Sequence, residues 1–82
     1  MPPPLSSGMD RAAMQERLMQ AEARVIEGNR KIALQRKLVR ELEADGLPSA
    51  GAKRLLVQYE ESQASHVADR DRIAKELFGR EN

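Results

Sequence analysis

Apolar side chains recur through the first half of the chain at intervals of three and four residues. Leu18, Val25, Ile32 and Val39 stand seven apart, and Met14, Ala21, Gly28, Gln35 and Leu42 follow as a companion row. Together they make the two-row seam of a helix that packs along another helix. Ile26, Leu34 and Leu38 fall outside the seam and widen the stripe beyond what one partner helix covers. In the second half, Ala52, Leu55, Leu56, Tyr59, Val67, Ile73, Ala74 and Leu77 repeat at the same intervals, and Gly79 supplies a stop. The pattern predicts two long helices, over residues 9–45 and 49–78.

The stretch Leu42-Glu43-Ala44-Asp45-Gly46-Leu47-Pro48-Ser49 joins them. Gly46 can adopt the left-handed conformation that ends a helix, with Leu47 folding back on Leu42 as in a Schellman motif. Pro48 blocks continuation, and Ser49 offers a hydroxyl to cap the next helix. A turn of residues 46–48 lays the helices side by side, so the expected fold is all-α: a two-helix antiparallel hairpin, coiled-coil-like. Counting outward from the turn sets Leu38 against Leu56, Ile32 near Ser62 and Gln63, and Leu18 against Leu77, with Met9 to Gln15 overhanging.

Residues 1–8 read as a disordered tail of three prolines followed by Ser6, Ser7 and Gly8, and residues 79–82 as a short C-terminal tail. Ser7 and Asp10 form an approximate capping box at the start of the first helix. A basic start and an apolar stretch of signal-peptide length are both missing. A proline-rich ligand role for the tail is the weaker reading against a solvated end.

Composition agrees with the helical pattern, since Ala, Glu, Lys, Leu and Arg make up 43 of 82 residues. So short a chain forms one small domain with a thin core, and the surplus apolar stripe then implies two hairpins joined in a four-helix bundle. The absence of cysteine excludes disulfide and thiolate chemistry and suits a reducing, cytoplasmic setting. A net charge of +1 argues against a strongly basic nucleic-acid module and against a membrane-surface protein. No apolar run reaches the length of a membrane span.

Charge is nevertheless segregated. Val25 to Arg40 carries a balance of +4, and Tyr59 to Asp71 carries −3. Mutual neutralisation across the hairpin is the expected outcome. The alternative is that Arg30 and Lys37 stay exposed as a phosphate-binding stripe, which the near absence of aromatic stacking groups weakens.

Polar residues interrupt the seam at mid-length. Gly28 and Asn29 fall opposite Ser65 and His66 on the counted register, with Gln35, Gln63 and Arg70 close by. Glycine inside a helix costs about 1 kcal/mol relative to alanine, so Gly28 points to close backbone approach or to room for a bulky neighbour such as His66. A polar layer that fixes register is the plainer reading, and a ligand or partner site the sharper one. The residue three before His66 is Gln63, not the Glu of a carboxylate-bridged metal site. One His and no Cys make a metal centre from His66 and Asp69 improbable. Ser62, Ser65 and His66 lack the spacing of a nucleophile, base and orienting group, and no glycine-rich phosphate loop is present. No catalytic residue, metal ligand or cofactor is assigned, and an enzyme is not expected.

The stretch from Val25 to Leu77 resembles a group of small, uncharacterised bacterial helical-hairpin proteins. The resemblance rests on Val25-x-x-Gly28, Ile32-x-x-Gln35-Arg36, Leu42-x-x-Asp45-Gly46, Leu55-Leu56-x-x-Tyr59-Glu60 and His66-x-Ala68-Asp69-Arg70-Asp71-Arg72, in that order and spacing. It implies an intracellular bacterial protein, draws interest to Gly28, Gln35, His66 and Arg70, and carries no activity. Met1 to Ala23 lies outside it. The expectation is a self-associating helical interaction or regulatory module, a homodimer that also has room for another protein partner. The alternative is a hairpin dimer that binds nucleic acid through the basic face of the first helix.

Overall fold

A computed structural model describes residues 6–79 and consists of two helices, α1 (Ser6–Ala44) and α2 (Ala50–Phe78), packed antiparallel. The hairpin is elongated, 68 × 19 × 17 Å. No helix among the described residues is long and apolar enough to cross a membrane.

The turn forms as its residues dictate. Gly46 takes φ +69°, a conformation that strains any residue with a Cβ. The Leu47 N–H then donates to the Leu42 carbonyl at 2.8 Å and the Gly46 N–H to that of Glu43 at 3.1 Å, the paired bonds of a Schellman motif. Leu47 itself stays half exposed.

Two end-of-helix expectations need correction, at Ser49 and at Ser7, while Gly79 ends α2 as expected. Ser49 stands at the N-cap of α2, but its φ −117°, ψ 1° do not aim the hydroxyl at the first turn, and no side-chain cap bond forms. Its carbonyl instead accepts from Lys53 N–H at 2.9 Å. Gly79 ends α2 without reversing it, since it keeps right-handed φ −68°, ψ −20° and donates to the Lys75 carbonyl. At the other end α1 already includes Ser6, Ser7 and Gly8, so Ser7 is inside the helix and not its cap. Extending an existing helix by a turn needs propagation without a new nucleus, which is why the weak helix formers Ser-Ser-Gly still join it. The remainder of the two expected tails, residues 1–5 and 80–82, lies outside the described residues.

The α1 seam packs as its periodicity requires. Leu18, Ala21, Val25, Ile32, Gln35 and Val39 are buried, with Met14, Gly28 and Leu42 partly so. A hydrophobic cluster lies at the end far from the turn, where Leu18 and Ala21 meet Ile73 and Leu77, with Met14 and Ala74 against them. Met14 is therefore part of the packing, and the overhang is shorter than Met9 to Gln15. On α2 the burial is thinner. Leu55 is 37% exposed, while Gln63, a polar residue, is buried at 8%.

Candidate functional site

The polar interruption at mid-seam is built around Gln63. Its Nε2 crosses from α2 to donate to the Val25 carbonyl and to Asn29 Oδ1, each at 2.8 Å. Its Oε1 occupies the place where a Cβ on residue 28 would stand, so the approach is open because residue 28 is glycine. That oxygen is buried and makes no hydrogen bond. The Gly28 hydrogen that replaces a side chain points at it, a weak Cα–H···O contact in place of a conventional donor. Gly28 thus receives Gln63, not His66 as counting from the turn suggests; the observed partner lies three residues, almost one helical turn, earlier on α2.

Seven residues along α1 from Gly28, Gln35 does the converse. It is 8% exposed, and its Nε2 donates to the Ala52 carbonyl of α2 at 3.0 Å. Each helix therefore sends one buried amide to the backbone of the other.

Of the residues singled out from sequence, Gly28 and Asn29 meet at Gln63, and Gln35 forms a separate clasp nearer the turn. His66 stands beside the first clasp, on the rim of a groove of about 270 Å³ lined by Arg24, Glu27, Gly28, Lys31, Tyr59, Ser62, Gln63 and His66. Arg70 is not part of this layer. Its guanidinium turns along α2 to Asp71, with Nη2 and Nε at 2.8 and 2.9 Å from Oδ1. The Lys31 ammonium sits 6.0 Å from the Tyr59 ring centre, at the outer limit of a cation–π contact.

The expected cross-helix neutralisation is partial. Arg36 meets Glu60 at 3.1 Å, and Lys53 meets Glu43 at 2.6 Å near the turn. Asp69 and Asp71 are instead taken by Arg72 and Arg70 on their own helix, because side chains three apart, or flexible neighbours, reach each other without crossing the seam. Arg30 and Lys37 are exposed and join no ion pair among the described residues. No cluster of three or more metal-ligating side chains occurs among the described residues.

Sequence reasoning missed Gln63 as a core residue, since a glutamine breaks the apolar count. The signal that could have found it is Gly28, whose seam position asks for something large and long from the facing helix. What fold and site define together is a two-helix hairpin clasped by reciprocal buried amides. No family model, curated protein or solved structure matches the chain.

Proposed function

We propose that the chain is a non-enzymatic helical interaction module whose working form is a pair of hairpins, associated as a four-helix bundle. The observation that carries this reading is the apolar surface left outside the hairpin's own seam: Leu34 is 59% exposed and Leu38 42%. Against it stands a core of seven buried apolar residues among the described ones, in which the best-buried large side chain, Leu77, keeps 5% of its surface. So thin a seam gains from a second layer, and burying each exposed Leu adds up to about 1.5–3 kcal/mol. A structural role also suits Gln35 and Gln63, the buried polar side chains among the described residues, because both amide nitrogens are engaged in holding the helices together. The cysteine-free composition favours a reducing, cytoplasmic setting, and the resemblance of Val25 to Leu77 adds a bacterial one.

Sedimentation velocity combined with thermal melts over a hundredfold dilution tests the reading. The midpoint rises with chain concentration as dimer forms. A monomer at micromolar concentration with an unchanged midpoint refutes it. A second reading, nucleic-acid binding along α1, draws on Arg30 and Lys37, whose charges are unspent among the described residues. It requires duplex DNA or RNA binding that persists near 150 mM salt and weakens, with a shallower salt slope, in Arg30→Ala with Lys37→Ala. Binding that vanishes at that salt removes it.

A further inference from the structure

The two flanks of the hairpin differ in chemistry. On one, Asn29, Arg36 and Glu43 follow each other at intervals of seven on α1, facing Lys53 and Glu60, also seven apart, on α2. The bonds Arg36–Glu60 and Glu43–Lys53 close this flank with charge. The opposite flank holds the groove of Arg24, Glu27, Lys31, Tyr59, Ser62 and His66. Toward the turn its rows become apolar. The row of Arg24 and Lys31 continues as Leu38, that of Glu27 as Leu34, and on α2 the row of Ser62 leads back to Leu55. These three leucines are 42%, 59% and 37% exposed.

Resting on the self-association argued above, we propose that the groove-bearing flank is where a second copy of this chain docks. Leu34, Leu38 and Leu55 meet the partner there, and the ion-paired flank stays in water. Area favours this surface over the outer face of α1. The 29 residues of α2 run about 43 Å, and the hairpin is 19 Å across. One flank therefore offers roughly 800 Å², the share each partner gives to a stable interface. The outer face of α1 is one helix wide, about 10–12 Å, and offers little more than half as much. Charge points to the same occupant. Beside the leucines the flank carries Arg24 and Lys31 together with Glu27, both signs on one surface, as a self-complementary contact needs. A polyanion would meet Glu27 as well as the two cations.

The chain contains no cysteine, so single-cysteine variants report the interface directly. The probe is maleimide alkylation of Leu38→Cys and Leu55→Cys across the concentration range in which sedimentation follows wild-type association. Val57→Cys is the comparison, since Val57 is 51% exposed and stands four residues after Lys53 and three before Glu60, on the ion-paired side. Alkylation at positions 38 and 55 slows about tenfold when nine-tenths of the chain is dimeric, while position 57 keeps its monomer rate. If Leu38→Cys loses its helical circular dichroism, Leu34→Cys gives the same readout. A dimer that protects position 57 and leaves 38 and 55 reactive overturns the docking flank while self-association stands. A chain that remains monomeric throughout the range refutes the underlying reading, and leaves the flank to some other occupant.

Discussion

Replacing Gly28 by alanine sets helix propensity against the Gln63 clasp, and the structure says which wins. The new Cβ falls on Gln63 Oε1, with Cδ at 2.6 Å and Nε2 at 3.1 Å from it. These atoms end a flexible side chain, so the backbone can stay in place and the amide must swing away. It then gives up the bonds to the Val25 carbonyl and Asn29 Oδ1. At about 0.5–1.5 kcal/mol net for each bond, the loss is about 1–3 kcal/mol. Alanine returns up to about 1 kcal/mol through its better helix propensity. Gly28→Ala should therefore destabilise by about 1 kcal/mol. For a domain of this size that lowers the thermal midpoint by about 4–8 °C. In a Gln63→Ala background the atoms nearest the added Cβ are gone, and the same substitution should stabilise. The cycle should thus show a coupling of about 1–3 kcal/mol. Urea unfolding followed by circular dichroism compares all four corners at one fixed chain concentration, so that each is read under the same mass action. His66→Ala should leave the effect of Gly28→Ala as it is, because the three heavy atoms nearest the added Cβ all belong to Gln63. Additive effects, with Gly28→Ala stabilising whether or not Gln63 is present, would refute the clasp.

Two further outcomes follow from the turn and the surface. Gly46→Ala should cost about 1–2 kcal/mol although nothing lies within 4 Å of the added methyl, because the penalty is the positive φ and not a clash; a melt matching the wild type would mean that the turn rearranges freely. Arg36→Ala should change stability by no more than about 1 kcal/mol, since the Arg36 and Glu60 side chains are 56% and 43% exposed; a larger loss that salt does not diminish would show the pair to be shielded from water.

The hairpin, its turn and the whole α1 seam were legible in the sequence, because a run of sevens from Met14 to Leu42 leaves one face for the interior. The Schellman turn was equally legible, since Gly46 and Pro48 allow few alternatives. What could not be read was the facing of the two helices at the level of single residues. Counting from a turn fixes height to within one helical turn, for residues three or four apart share a face. That interval separates the expected partner of Gly28, His66, from the observed one, Gln63. The charge pattern misled for a related reason. Asp69 and Asp71 have arginines within reach on α2, so a balance summed over a whole stretch overstates what crosses the seam.

Why glutamines occupy the middle of so thin a seam follows from what leucines would do in their place. Leucines at 35 and 63 would bury comparable area and desolvate no amide, yet they would accept a slide of one helix past the other with little change in burial. Gln63 Nε2 has its acceptors at one peptide of α1 and one asparagine, and Gln35 Nε2 at one peptide of α2. Each backbone carbonyl can accept such a bond on its second lone pair while keeping its helical partner. A slide by one turn would strand both donors in the interior, at about 1–3 kcal/mol for each buried group left unmade. That penalty is large beside the differences in apolar burial available to two helices. The amides therefore select the register, as single buried polar residues do in coiled coils. Gly28 is the condition for it, because any side chain at that position would hold the amide away from the Val25 carbonyl.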